Sequence, residues 1–141
     1  MIAGGAAVVI LILLGILHVY WAAGGNAGKA AAIPTSAGLP VLNPSALGTA
    51  LVALGLFAMA TLPAVRVGLL EAPEVVVANK LVRGGAWLTA VVFAIRAVGD
   101  FRYAGFFKRV RDTRFAHLDT WIYSPFCAGM ALLISIACME S

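Results

Sequence analysis

Long apolar stretches alternate with short polar ones along this chain. Four stretches are almost free of charge, and glycine, proline or charged residues separate them. A run of about 20 apolar residues is what an α-helix needs to cross the hydrocarbon core of a bilayer. The pattern predicts an all-α, polytopic membrane protein, an antiparallel bundle of four helices in a single domain over residues 1–141. The predicted spans are residues 2–23, 44–65, 84–107 and 120–139.

Glycine and proline mark the ends of the first two predicted helices. The first apolar run stops at Gly24, Gly25 and Asn26, a cluster that ends helices. No basic segment precedes that run, and it is long for the apolar part of a signal peptide, so we interpret it as a retained span. Asn43 followed by Pro44 predicts a capped start for the second helix.

The third and fourth spans contain polar residues that affect where each helix is expected to begin or end. The third reaches the length of a span only by running through Arg96 and Asp100, which puts two formal charges in a membrane helix. The fourth has two possible starts. Either Asp119 caps a helix that Pro125 kinks, or Ser124 is the cap and Pro125 the first helical position.

Composition excludes a water-soluble globule. The chain is 62% hydrophobic and 11% charged, and its mean hydropathy is +1.00, whereas an average soluble domain is about 25% charged. Four spans fill the chain and leave no room for a separate catalytic domain. Cys127 and Cys138 are eleven positions apart in one predicted helix, about 16 Å along its axis, too far for a disulfide.

The positions of the basic residues predict an orientation. The net charge is +4, and most basic side chains fall on one side of a four-span hairpin. The positive-inside rule then puts the loop between spans three and four in the cytoplasm and both termini outside. The basic residues on that side are Lys29, Arg102, Lys108, Arg109, Arg111 and Arg114; those on the other side are Arg66, Lys80 and Arg83.

A candidate site lies where the ends of spans one and three meet the start of span four. Ionisable groups within a span are costly and usually face the bundle interior or a wet cavity. Arg96 and Asp100 are four apart and are predicted to pair, or to offer a guanidinium fork to an anion. Candidate acid–base residues are His18 and Asp100. Candidate ligand-binding residues are His18, Tyr20, Trp21, Arg96, Asp100, Arg102, Tyr103, Arg114, Asp119 and Tyr123.

Several of these residues also have structural interpretations. The residue type favours His18 as a buried histidine bonded to a carbonyl or a carboxylate, and Tyr20 and Trp21 as interfacial anchors, over a role in binding or proton transfer. For Arg102 and Tyr103 the corresponding interpretation is contact with lipid headgroups.

Cofactor motifs are lacking in the sequence. His18 and His117 are predicted at the same face, but two histidines without a close spacing are a weak signal for haem or a metal. The sequence contains no Gly-rich phosphate loop, zinc signature or nucleophile motif. No cofactor or metal is therefore expected, and the expected partners are membrane lipids, an anionic or amphiphilic small molecule and other copies of the chain. A short Arg-rich loop beside a membrane favours lipid phosphate over nucleic acid.

Two motifs resemble those of a known family. They are His-Val-Tyr-Trp at residues 18–21 and Arg-Ala-Val-Gly-Asp-Phe-Arg-Tyr at residues 96–103, followed by Leu-Asp-Thr and Tyr-Ser-Pro before span four. The chain resembles small bacterial four-span membrane proteins catalogued as a domain of unknown function. The resemblance implies a bacterial inner-membrane protein, but it implies no activity. A family position often filled by arginine is His117 here.

The sequence favours a binding protein over three alternatives. In this hypothesis Arg96 and Arg102 contact an anionic or amphiphilic small molecule or a lipid headgroup, and Asp100 and Asp119 orient them. An enzyme on a membrane-dissolved substrate would use His18 or Asp100 as general acid or base. A transporter or channel would require an oligomer, and the last alternative is a structural subunit of a larger complex.

Overall fold

A computed structural model describes residues 2–71, 73 and 80–139. Residues 1, 72, 74–79, 140 and 141 of the predicted single domain lie outside the described ones. The helices are α1 (Ile2–Ala22), α2 (Lys29–Ala32), α3 (Ala46–Arg66), α4 (Lys80–Val98), α5 (Arg114–Leu118) and α6 (Ser124–Met139), with a π-helical turn at Asp119–Tyr123. Strands β1 (Thr35–Ser36) and β2 (Leu39–Pro40) form a short antiparallel hairpin between α2 and α3.

The predicted fold class is confirmed. In the described ranges four helices are long and apolar enough to cross a membrane: α1, α3, α4 and the continuous helix Arg114–Met139. Helix α1 packs chiefly on α3, and α4 packs chiefly on α6; Gly4 lies beside Val67 and Gly15 beside Phe57, and Arg96 bonds Asp119, so each pair is antiparallel. Buried alanines on α1, α3 and α4 allow close approach of the helices, and Leu11, Met130 and Ile134 fill the space between them.

Helix α3 begins at a serine cap. The Ser45 hydroxyl accepts a hydrogen bond from the Gly48 backbone N–H at 3.0 Å. Asn43 was the predicted cap, and that prediction is wrong by two residues. The Ser45 backbone has the extended conformation of an N-cap, which leaves Pro44 outside the helix.

Helix α4 runs from Lys80 to Val98, so the predicted span 84–107 is wrong at both ends. Its 19 residues give about 28 Å, and the missing length is supplied at the N-terminus. The helix ends because Gly99 takes a left-handed φ of +93°. Arg96 therefore lies in the last helical turn, and Asp100 lies outside the helix.

Neither predicted start of the fourth span is observed. The helix begins at Arg114, where the Thr113 hydroxyl accepts from the Ala116 N–H at 3.0 Å. It continues through the π-turn, in which the Ser124 N–H donates to the Asp119 carbonyl. Pro125 has no N–H and would clash with the carbonyl four residues earlier in a regular α-helix. The wider π-turn accommodates it.

Candidate functional site

The site lies at the end of the bundle where α1 and α4 finish and where α3 and the fourth span begin. Residues from these segments line the same cavities, with α2 beside them. The structure therefore brings together the segments that the sequence analysis assigned to one membrane face.

The Asp119 carboxylate is the centre of a buried polar cluster, and its side chain is 0% exposed. Its Oδ1 accepts from Arg96 Nη2 at 2.9 Å. Its Oδ2 accepts from Lys108 Nζ at 3.0 Å, from the Gly105 backbone N–H at 2.7 Å and from the Ser124 hydroxyl at 3.1 Å. One carboxylate thus connects α4, the loop after it and the start of α6.

The charges within this cluster do not balance. Two cations, Arg96 and Lys108, share a single carboxylate, and the Lys108 side chain is only 1% exposed. Lys108 Nζ also donates to the Gly105 carbonyl at 3.0 Å. Arg96 Nη1 is buried and makes no hydrogen bond to any residue that the structure describes. The cluster therefore holds one excess positive charge and one unused guanidinium nitrogen.

The loop after α4 owes its shape to Asp100. The carboxylate accepts from the backbone N–H groups of Arg102 at 2.9 Å, Tyr103 at 2.7 Å and Ala104 at 2.9 Å. Burial acts to raise the pKa of Asp100, but these donors outweigh it and hold the pKa below its usual value. Asp100 is thus an ionised structural group that orders the loop.

Glycines at both ends of this turn allow its backbone to close. Gly99 and Gly105 have left-handed φ values of +93° and +89°. A Cβ on Gly99 would collide with the Ala104 carbonyl, and one on Gly105 with the Val98 carbonyl. Closure at these glycines brings the Gly105 N–H to Asp119.

The first cavity at the site, called here the α1–α4 cavity, has a volume of about 360 Å³ and lies between α1, α4, α6 and α2. Most of its lining is apolar, and polar groups come from His18, Arg96 and Tyr123. Its lining residues are Leu14, Leu17, His18, Trp21, Gly28, Ala32, Phe93, Arg96, Tyr123, Phe126 and Cys127.

His18 borders this cavity with one ring nitrogen already engaged. His18 Nδ1 lies 2.8 Å from the Leu14 carbonyl oxygen. A carbonyl can only accept, so Nδ1 carries the proton, and Nε2 is the acceptor in the neutral ring. The ring also meets the edge of Trp21 at a centroid distance of 5.1 Å. The structure therefore shows His18 bonded to a carbonyl through Nδ1, and Nε2 makes no hydrogen bond to the part of the chain that the structure describes.

Helix α2 is held against the cavity by aromatic side chains. Trp21 Nε1 donates to the Ala27 carbonyl at 2.8 Å, and the Tyr123 hydroxyl donates to the Ala31 carbonyl at 3.2 Å. The Tyr20 hydroxyl accepts from the Ala27 N–H at 3.4 Å. These three predicted site residues thus position the segment containing α2, which borders the cavity.

A second cavity, called here the α1–α3 cavity, lies between α1, α2 and α3. Its volume is about 240 Å³, and it shares His18, Trp21 and Ala32 with the α1–α4 cavity. The remaining lining residues are Lys29, Ile33, Pro44, Gly48, Thr49 and Val52.

The predicted Arg96–Asp100 pair is wrong. The i,i+4 rule applies within a helix, whereas α4 ends between the two residues, and the partner of Arg96 is Asp119. Asp100 borders a shallow depression that Arg96 also borders, and it does not line the α1–α4 cavity.

Other predicted residues lie outside both cavities. Arg102 is exposed, with its guanidinium carbon 5.0 Å from the centroid of the half-buried Tyr103 ring. Arg114 and His117 are exposed on α5, so His117 does not join His18 in either cavity. Among the described residues no group of three or more His, Cys, Asp or Glu side chains could hold a metal ion.

The sequence analysis missed Lys108 as a site residue. Lys108 was counted with Arg109 and Arg111 among the basic residues that predict the orientation, and no local pattern distinguishes the three. Only the folded loop shows that Lys108 is buried and that the other two are exposed.

Comparison with known proteins gives a family and no activity. No curated protein matches the chain, and no solved structure matches it. The model of a family described as "Protein of unknown function (DUF3995)" matches residues 11–134, nearly the whole chain. This confirms the expected membership in a family catalogued only as a domain of unknown function. The chain therefore belongs to the DUF3995 family, as a multi-pass, all-α membrane protein.

Proposed function

We propose that this protein binds an amphiphile with an anionic headgroup, with the headgroup at Arg96 and the chain in the α1–α4 cavity. The observation that carries the proposal is the excess positive charge of the Asp119 cluster at the border of an apolar cavity. Because of the predicted orientation, the proposed site faces the cytoplasm from a bacterial inner membrane.

The charge imbalance favours an anion over a neutral ligand. Charge that is removed from water is costly unless it is paired. Asp119 neutralises one of its two cations, and an anionic headgroup would neutralise the other. Arg96 is the cation that a ligand in this cavity would meet, because Arg96 lines the cavity, whereas Lys108 is buried and lines neither cavity.

Hydrogen bonding supports the same choice. A guanidinium presents a planar fork that matches phosphate or carboxylate oxygens. Arg96 uses Nη2 for Asp119, and its Nη1 has no partner among the described residues. His18 and Tyr123 border the same cavity, but their donors are engaged by the Leu14 and Ala31 carbonyls, so Arg96 is the group that donates to the headgroup.

The cavity wall suits an alkyl chain. Below the polar groups it is lined by Leu14, Leu17, Phe93 and Phe126. A chain in this position would pack against these apolar side chains, and its binding from a membrane or micelle would rest on van der Waals contacts with them. The ligand class is therefore an amphiphile rather than a small soluble anion.

Among the alternatives, catalysis has support only from His18. Its Nε2 is available to accept a proton, whereas the Asp100 carboxylate is engaged by three backbone donors. Binding of an amphiphile, in contrast, requires only Arg96 and the apolar lining of the α1–α4 cavity, which are already in position.

The proposal is tested by titrating the purified protein in neutral detergent micelles with tetradecyl phosphate and with the uncharged tetradecyl maltoside. We expect tetradecyl phosphate to bind more tightly, and Arg96→Gln to weaken it about 10- to 100-fold, the effect of losing a charged hydrogen bond. Arg96→Gln leaves Asp119 paired one-to-one with Lys108, so the variant should fold. Arg96→Lys should retain part of the affinity.

The matched control is Arg102→Gln, which removes an exposed arginine outside the cavity. It should leave the affinity unchanged. Equal binding of the two amphiphiles, or equal losses in the Arg96 and Arg102 variants, would contradict the proposal.

A further inference from the structure

The α1–α3 cavity has no role in the binding of a single alkyl chain beside Arg96. It nevertheless adjoins the α1–α4 cavity, because His18, Trp21 and Ala32 line both. The two cavities meet at the C-terminal end of α1, and the α2 segment borders both. Any ligand headgroup near these shared residues has access to two separate apolar spaces.

We infer that the ligand is an anionic lipid with two acyl chains, one in each cavity. The inference rests on the proposed function, since the α1–α4 cavity and Arg96 would hold one chain and the headgroup. The inference goes further than the proposed function in two ways. It names the class of lipid, a glycerophospholipid with an anionic headgroup, and it assigns the α1–α3 cavity to the second acyl chain.

Charge on the α1–α3 side supports an anionic headgroup between the two cavities. Lys29 lines this cavity and is half-buried, and its ammonium makes no ion pair among the described residues. The two cavities therefore each have one cation on their lining, Lys29 in the α1–α3 cavity and Arg96 in the α1–α4 cavity. A headgroup that joins two chains would lie between these charges.

The rest of the α1–α3 lining suits a chain. Ile33, Pro44 and Val52 give an apolar wall, and Gly48 leaves open space at the start of α3. A Cβ added at Gly48 would meet only the Ser45 hydroxyl, at 3.2 Å. A larger side chain at position 48 can therefore occupy the cavity without displacing the helix.

The test compares tetradecyl phosphate with dimyristoyl phosphatidic acid, titrated into the full chain in neutral detergent micelles. We expect the two-chain lipid to bind at least about tenfold more tightly, because its second chain gains van der Waals contacts with the lining of the α1–α3 cavity. Gly48→Leu should abolish this advantage and leave the affinity for tetradecyl phosphate unchanged. Val52→Phe, which narrows the same cavity from a half-exposed position, should act in the same direction.

Gly55→Leu is the matched control, since Gly55 is on the same helix, has open space around its Cβ position and lines neither cavity. It should change neither affinity. The helical circular dichroism of each variant shows whether it has folded.

The outcomes separate this inference from the proposed function. If tetradecyl phosphate shows no Arg96-dependent binding, the proposed function is wrong and the inference fails with it. If tetradecyl phosphate binds as proposed but phosphatidic acid binds no more tightly, or if folded Gly48→Leu keeps the two-chain advantage, only the inference is overturned. Equal loss of both ligands in folded Gly48→Leu also overturns it, because the cavities would not be occupied separately.

Discussion

Replacement of Asp119 by asparagine tests the cluster on which the site depends. The substitution keeps the shape of the side chain and removes its charge, so Arg96 and Lys108 lose their shared counterion. It also puts an NH2 group where one carboxylate oxygen stood. On the Oδ2 side that group would face three donors, from Lys108, Gly105 and Ser124.

The expected loss of folding stability is worked out from the distances of the Asp119 oxygens to Arg96 and Lys108. Unit charges 2.9 and 3.0 Å apart attract by about 6 kcal/mol each at an effective dielectric constant of about 20. Desolvation offsets much of this attraction, and the partial exposure of Arg96 reduces its share further. Removal of one partner from a buried ion pair costs about 3–5 kcal/mol. We expect the free energy of unfolding to fall by that amount.

The assay is unfolding of the purified protein by sodium dodecyl sulfate in mixed micelles, followed by helical circular dichroism. Asp112→Asn is the control, because Asp112 is exposed in the same loop and forms no ion pair among the described residues. It should change stability by less than about 0.5 kcal/mol. The double variant Asp119→Asn, Lys108→Met should recover part of the lost free energy of unfolding, because it removes the buried cation that lacks a counterion. A loss below about 1 kcal/mol for Asp119→Asn would refute the reasoning.

Three further predictions concern the loop after α4 and the contact of α2 with the α1–α4 cavity. The pKa of Asp100 is lowered in the folded state, so the stability that its carboxylate contributes is present above pH 3.8 and is lost as the pH falls through the lowered value. The protection of the backbone N–H groups of residues 102–104 against hydrogen exchange, relative to the intrinsic exchange rate at each pH, should fall in this range, and Asp100→Asn should remove this pH dependence. Gly99→Ala should cost about 1–3 kcal/mol in the same unfolding assay, whereas Gly129→Ala, in a helix with open space, should cost nothing. Tyr123→Phe deletes one hydrogen bond to α2 and should cost about 1 kcal/mol.

The four spans could be predicted because hydropathy and length suffice to identify them. No long-range contact is needed to recognise an apolar run of 20 residues. The error in α4 arose because length was given more weight than the local signal at Gly99, a glycine directly after the helix and before an aspartate. The required length is supplied at the other end instead, where Lys80 and Arg83 are exposed and can extend towards the headgroups.

The site could be predicted only in part. Proximity of His18, Arg96 and Tyr123 follows from antiparallel topology, which brings the ends of α1 and α4 to the start of the fourth span. The partner of Arg96 could not be predicted, because it depends on how the loop after α4 folds back. Lys108 reaches Asp119 across eleven positions, through a loop closed at two glycines and ordered by Asp100.

Photo-crosslinking tests most directly whether an anionic amphiphile occupies the α1–α4 cavity. A tetradecyl phosphate with a diazirine close to the phosphate would be irradiated with the protein in neutral micelles, and the labelled residues identified by mass spectrometry. We predict labels on the cavity lining, at Leu17, Phe93 and Phe126, and their loss in Arg96→Gln or with excess unlabelled tetradecyl phosphate. Labels spread over the exposed faces of the helices, unchanged in Arg96→Gln, would contradict the proposed site.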